Sequence, residues 1–159
     1  MTKNNLRVFE KEIEKELKDL DRLDTEMTEV LSHLNPSFLE TRAAGSILHD
    51  FYSGIEKIFK RIAFRIDRDV PSGEDWHTDL LMRMSISLED IRPKVISESL
   101  QERLSDYLRF RHLFRNIYGF ELKWVRCETL GLMLSETLSI FKAEINEFLK
   151  FIDSLRKEL

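Results

Sequence analysis

The sequence predicts an all-α protein that folds as an antiparallel bundle of about five helices. Glycine and proline, which interrupt helices, are scarce, with only 5 Gly and 3 Pro among 159 residues. Apolar residues recur instead at steps of three and four along several long segments, which is the period of an amphipathic helix. No segment alternates convincingly between apolar and polar residues, as a half-buried strand would.

The first two predicted helices are long and amphipathic. An apolar stripe indicates a helix over about residues 5–34, and the whole N-terminal segment 1–35 is expected to pack as part of the bundle. Ser37 and Glu40 then have the spacing of a capping box, in which each side chain binds the backbone N–H of the other residue. A second helix is therefore predicted from there to about residue 68.

Three more helices follow. Asp75 is positioned to cap a short third helix over about residues 76–84. A serine at position 97 or 99 begins a fourth helix, which is expected to extend to Tyr118, where a glycine interrupts it. Regular apolar spacing predicts a fifth, long helix over about residues 121–155.

Composition indicates one globular domain over residues 1–159. The chain is 42% hydrophobic and 34% charged, and no apolar run approaches the roughly 18 residues of a membrane helix. A single cysteine, Cys127, excludes an internal disulfide and fits a reducing compartment. We therefore expect a cytoplasmic protein with no membrane partner.

Several familiar chemistries have no signature in this chain. There is no glycine-rich phosphate loop and no nucleophile elbow. The four histidines stand far apart in sequence, and none has a second His or Cys at zinc-ligand spacing. Cys127 lies on the apolar stripe of the fifth helix, as a core residue would. The sequence therefore predicts neither a metal site nor a cofactor.

The most informative stretch is basic. Residues 103–126 contain six Lys or Arg and two acidic residues, within a chain of formal net charge −4. On a helix, Arg111, Arg115 and Tyr118 are expected to share one face, with His112 and Asn116 on the adjacent stripe.

Two interpretations of these arginines are open. A guanidinium donates paired hydrogen bonds to phosphate oxygens, so the cluster fits a polyanion such as RNA, with Arg109 and Arg115 as phosphate-binding candidates. Alternatively, the arginines form ion pairs with acidic side chains on neighbouring helices, and the protein is a purely structural bundle.

The segment RHLFRNIY, residues 111–118, resembles the R-x4-H-x-Y motif of HEPN-domain ribonucleases, and more closely that of HepT-like toxins. The resemblance extends over about residues 43–155, through the segments ILHDFYSGIEKIFKRIA, VPSGEDWHTDLL and RPKVIS. It implies a HEPN-like helical bundle that forms a homodimer, with both copies of the motif in one cleft. Arg111 matches the motif arginine and Tyr118 the motif tyrosine.

The same resemblance implies a function. Active members are metal-independent endoribonucleases, and HepT-like members are toxins paired with a minimal nucleotidyltransferase antitoxin that can modify the motif tyrosine with AMP. Tyr118 is then the candidate for modification. Arg111, His112, Asn116 and Tyr118 are the catalytic candidates.

One position departs from the motif, because Asn116 stands where the family has histidine. A neutral carboxamide cannot accept the proton of a ribose 2′-hydroxyl, whereas histidine is suited to this role. His112, one helical turn earlier, is a candidate replacement. Two hypotheses follow: a ribonuclease toxin in which His112 is the base, or a catalytically weakened module that binds RNA or a nucleotidyltransferase without cleaving.

Overall fold

The computed structural model describes all residues 1–159 and contains five α-helices and no strand. The helices are α1 (Lys3–Leu31), α2 (Phe38–Ile62), α3 (Trp76–Met84), α4 (Glu98–Arg115) and α5 (Trp124–Glu158). A π-helical turn, Ala63–Asp67, extends α2, and a 3₁₀ turn, Gly119–Glu121, precedes α5. The predicted all-α, HEPN-like helical bundle of about five helices is confirmed.

Local signals position the helix starts. The Ser37 hydroxyl accepts a hydrogen bond from the backbone N–H of Leu39, and Glu40 accepts the N–H of Ser37, so the predicted capping box is present. Ser97, one of the two predicted alternatives, caps α4 by accepting the N–H of Leu100 at 3.2 Å. Asp75 occupies the cap position of α3, but its side chain accepts no capping hydrogen bond.

Polar contacts between helices establish their antiparallel arrangement. Near the start of α1, Glu12 lies 3.7 Å from Arg61 at the end of α2. Asp21 in the second half of α1 accepts a hydrogen bond at 2.8 Å from Lys142 on α5, whereas Glu10 faces Arg156 at the far end of α5. The chain thus folds back on itself, as expected for helices joined by short connections.

Helix α2 is the centre of the bundle, because it packs against all four other helices. The core is one cluster of 33 buried hydrophobic residues, to which every helix contributes. Aromatic rings contact across it edge to face, as in Phe51 with Tyr107 and Phe59 with Phe141. No helix combines the length and the apolar composition that a membrane crossing needs.

A buried ion pair fixes the segment that carries α3. Arg92 donates through Nη2 to Asp67 at 2.9 Å, and the two side chains are almost completely buried. The same guanidinium donates to the carbonyls of Ile86 and Pro93. These contacts attach the connections on both sides of α3 to the end of α2, which determines where α3 meets α4.

Candidate functional site

The fourth helix ends at Arg115, three residues before the predicted end at Tyr118. Asn116 leaves the helical conformation, and its N–H donates to the carbonyl three residues back instead of to His112. The His112 carbonyl accepts the Asn116 side-chain amide instead, at 2.7 Å. The chain turns away at this point, so the face expected to hold Arg111, Arg115 and Tyr118 contains only the two arginines.

The motif arginine is anchored in the interior of the bundle. Arg111 Nη1 donates to Glu56 Oε1 on α2 at 2.8 Å, and the two residues are 9% and 4% exposed. For Arg111, the interpretation as an ion pair with a neighbouring helix is therefore correct. The pair also orients the guanidinium, because its position is fixed from the opposite helix.

Glu56 has a second partner on α3. Its Oε2 lies 2.6 Å from Nδ1 of His77, and the His77 side chain is 30% exposed. A carboxylate has no proton to donate, so Nδ1 carries the hydrogen and His77 is the donor. One buried carboxylate thereby connects α2, α3 and α4.

Tyr52 lies one turn before Glu56 on α2, and the charges of Glu56 and Arg111 both act on its hydroxyl. Its hydroxyl is buried and has no hydrogen-bond partner. Burial, followed by the neighbouring charge of Glu56, raises the pKa of Tyr52 far above its ordinary value, and Arg111 opposes this effect only in part. The phenol therefore stays neutral and contributes shape, not charge.

A surface cleft of ≈ 270 Å³ lies between α3 and α4, and Arg111 and His77, the two partners of Glu56, both line it. Six residues line it. One, His77, comes from α3, and the other five lie on α4 or directly after it: Leu108, Arg111, His112, Arg115 and Asn116. A wider groove of ≈ 720 Å³ continues from it along the two helices and shares His77, Leu108, His112 and Asn116. The structure thus brings four of the predicted site residues together, namely Arg111, His112, Arg115 and Asn116.

The side chains at the cleft differ in how freely they can meet a ligand. Arg115 and His112 are exposed and form no ion pair within the chain. Arg109 is also exposed, but it pairs with Asp106 on its own helix and borders the wider groove, not the cleft. Arg115 is therefore the cation most available to an anion in the cleft.

Tyr118 lies outside the cleft. It is 71% exposed and stacks on Phe120, with ring centroids 5.2 Å apart and planes inclined by 8°. Its backbone N–H donates to the Glu121 carboxylate, and this bond caps the start of the short 3₁₀ turn. Tyr118 is available to another protein, but it does not line the cleft within this chain.

Sequence reasoning missed two residues of the site, Glu56 and His77. Glu56 sits among apolar residues on the buried face of α2, between Ile55 and Ile58. A charged residue at such a position needs a partner, and this requirement was the signal that could have identified it. His77 had no comparable signal, because only the fold brings α3 to α4.

Cys127 is buried, as its position on the apolar stripe of α5 predicted. Burial raises the pKa of its thiol to about 11, so it is protonated at neutral pH and is no nucleophile. No group of three or more His, Cys, Asp or Glu side chains is placed to hold a metal ion.

The cleft combines the groups that phosphodiester chemistry uses. Arg115 and Arg111 offer positive charge and directed N–H donors, which suit phosphate oxygens. His112 and His77 bring imidazoles, whose ring nitrogens can accept or donate a hydrogen. Asn116 cannot exchange a proton, and its amide is already used by a backbone carbonyl.

The fold and this cleft define a class: a helical bundle with a basic motif at the end of its penultimate helix. The chain matches the family model described as HepT-like protein over residues 43–152, more than two thirds of its length. It therefore belongs to the HepT-like family of the HEPN superfamily. Searches of curated proteins and of solved structures gave no match.

Proposed function

We propose that this protein is a metal-independent endoribonuclease and the toxin of a toxin–antitoxin pair whose antitoxin is a minimal nucleotidyltransferase. Membership of the HepT-like family supports the assignment to a toxin–antitoxin pair. The observation that carries the chemistry is the cleft, in which an exposed imidazole, His112, and an unpaired guanidinium, Arg115, lie beside the anchored Arg111.

In the proposed reaction the ribose 2′-hydroxyl attacks the adjacent phosphorus. His112 accepts the hydroxyl proton in place of the missing motif histidine. Arg115 binds the phosphate and stabilises the charge that develops on its oxygens, and Arg111, whose charge Glu56 offsets, adds guanidinium N–H donors at the cleft wall. Asn116 contributes by holding the last turn of α4 through its bond to the His112 carbonyl.

We further propose that the active form is a homodimer acting in the cytoplasm, with the two motifs facing each other. The cleft is open to solvent on this chain, and a second copy would enclose the RNA between the two basic ends of α4. Tyr118 is the residue that we assign to the antitoxin, because it is the exposed member of the chain's three tyrosines, while Tyr52 and Tyr107 are buried.

A second candidate function is an RNA-binding or antitoxin-binding module without cleavage. The specific observation in its favour is Asn116, which replaces the motif histidine and whose amide is engaged with the backbone. This function needs Arg115 and the anchored Arg111 but no proton transfer.

The test is a cleavage assay on end-labelled RNA in EDTA, with the natural protein, Arg115→Ala and His112→Ala. The proposal expects cleavage by the natural protein and loss of about 10²–10⁴-fold in rate in His112→Ala. Arg109→Ala is the matched control, because Arg109 lies outside the cleft and is paired with Asp106. RNA binding without cleavage by the natural protein would favour the second candidate.

A further inference from the structure

We propose that His77 is the general acid of the RNA cleavage reaction, a role that rests on the proposed ribonuclease function. Transesterification of RNA moves two protons, one from the attacking 2′-hydroxyl and one to the departing 5′-oxygen. With asparagine at position 116, helix α4 supplies one imidazole to the cleft, His112. The second imidazole that lines the cleft comes from α3.

The contact with Glu56 prepares His77 for this role. Because Nδ1 donates to the buried carboxylate at 2.6 Å, Nε2 is the ring nitrogen left to exchange a proton with a ligand. A carboxylate in this position fixes the orientation of the ring and stabilises the positive charge of its protonated form. The arrangement is that of a histidine positioned by an acidic partner.

Packing holds the ring from its other side. The His77 ring stacks on the Trp76 ring with centroids 3.6 Å apart, and the Lys60 ammonium lies 4.2 Å from the centre of the Trp76 ring. Trp76 is packed against the hydrophobic core. The imidazole is thus restrained by a carboxylate at its edge and an indole on its face, as a proton donor of fixed geometry requires.

The bond between phosphorus and O2′ forms while the bond between phosphorus and O5′ breaks. His112 takes the proton of the 2′-hydroxyl, and the protonated His77 ring gives its Nε2 proton to O5′. The products are a 2′,3′-cyclic phosphate and a 5′-hydroxyl, and the two histidines end with their protonation states exchanged.

The assignment of the two roles follows from the surroundings of each ring. His77 is paired with a carboxylate that can stabilise a positive charge on its ring, which suits the proton donor. His112 has no acidic partner and lines the cleft beside Arg115, which suits the proton acceptor. A structural role for His77, limited to satisfying the second oxygen of Glu56, is the alternative to exclude.

The experiment compares two oligonucleotides that carry one ribonucleotide, followed by either the natural O5′ or a bridging sulfur. A thiol is a much stronger acid than an alcohol, so the sulfur leaves without being protonated and needs no general acid. His77→Ala should lose about 10²–10⁴-fold in rate on the oxygen substrate and stay within about tenfold of the natural protein on the sulfur substrate. His112→Ala should cleave both substrates slowly, because both need the base.

His77→Gln is the second variant. It keeps an N–H that can donate to Glu56 but cannot release a proton, so it separates the two roles. The proposal expects His77→Gln to behave as His77→Ala does. Cleavage of the sulfur substrate by either variant also demonstrates that the variant is folded.

The outcomes distinguish the two proposals. If the natural protein cleaves both substrates and His77→Gln keeps full activity on the oxygen substrate, the acid role is wrong and the ribonuclease function stands. Equal loss by His77→Ala on both substrates likewise overturns the acid role. If the natural protein cleaves neither substrate, the ribonuclease function itself is wrong, and the acid role falls with it.

Discussion

Arg111 and Glu56, 55 residues apart in sequence, form an ion pair inside the bundle with Nη1 and Oε1 2.8 Å apart. The motif arginine is thus a structural residue, since it joins α4 to α2. If Arg111 also binds phosphate, as the proposed function requires, any loss of activity on mutating it combines the loss of that contact with a change in stability. The contribution of the Arg111–Glu56 ion pair to stability must therefore be measured before any catalytic contribution is assigned to Arg111.

Removing Glu56 should destabilise the fold strongly. Glu56→Ala leaves the guanidinium of Arg111 buried without its partner, which typically costs about 3–5 kcal/mol in free energy of unfolding. Urea unfolding followed by far-UV circular dichroism measures this quantity. Glu56→Gln is the control, because it keeps the shape and an acceptor oxygen, and it should cost less. A loss below about 1 kcal/mol in Glu56→Ala would contradict the importance of the pair.

Arg115→Ala should weaken RNA binding without affecting stability. Arg115 is exposed and takes part in no ion pair, so its removal leaves no buried charge behind. One lost phosphate contact lowers the slope of log K against log salt concentration by about 1. Fluorescence anisotropy with labelled RNA at several salt concentrations measures the slope. Arg109→Ala, the paired and more distant cation, should change it less, and an equal effect would place the RNA outside the cleft.

The helices were predictable from the sequence because the apolar period is a local property, and α2 and α5 follow it closely. The end of α4 was not predictable from the sequence, because Asn116 closes the helix through a side-chain hydrogen bond that residue spacing does not reveal. Four cleft residues, Arg111, His112, Arg115 and Asn116, were predicted because they lie close together in sequence, at the end of one helix. Glu56 and His77 come from other helices, and only tertiary packing brings them there.

Restoring the motif histidine should change the cleavage rate little, because His112 already supplies the base in the proposed mechanism. In Asn116→His an imidazole replaces a carboxamide at an exposed cleft position, and base catalysis as a whole is worth about 10²–10⁴-fold in rate. We expect a change of less than about tenfold, measured in single-turnover assays in EDTA. Asn116→Gln serves as the control, because it changes the side chain without adding a base. A gain of about 10²-fold or more in Asn116→His would show that the natural protein lacks its base, and would favour the binding module over the ribonuclease.

Tyr118 should be the site of AMP modification by a partner nucleotidyltransferase. Tyr118 is 71% exposed, whereas Tyr52 and Tyr107 have no exposed surface. Incubation with ATP and the partner enzyme, followed by peptide mass spectrometry, should find the added AMP on Tyr118 and none on Tyr118→Phe. Since Tyr118 lies outside the cleft, Tyr118→Phe should keep cleavage within about twofold on the scale of ordinary surface substitutions. AMP on either buried tyrosine would contradict the structure.

Cys127 should be unreactive in the native protein. Burial raises the pKa of its thiol from an ordinary value of 9.0 to about 11, so little thiolate forms at pH 8 and the sulfur is inaccessible. A thiol reagent such as DTNB should label it only after unfolding in guanidinium chloride.

The same shift makes stability depend on pH in a definite direction. The folded thiol holds its proton more tightly than the unfolded one. Its contribution to the free energy of unfolding is therefore fully present below pH 9 and is lost as the pH rises towards about 11. The free energy of unfolding should fall in this window by up to about 1.4 kcal/mol per pH unit from this group. Urea titrations from pH 8 to about pH 11 measure this fall in the free energy of unfolding. Cys127→Ala should lack the part of the fall that comes from the thiol. It should keep the part that comes from Tyr107, because burial raises the pKa of that phenol to about 12. Identical pH profiles for the natural protein and Cys127→Ala would show that the thiol does not titrate differently in the folded state.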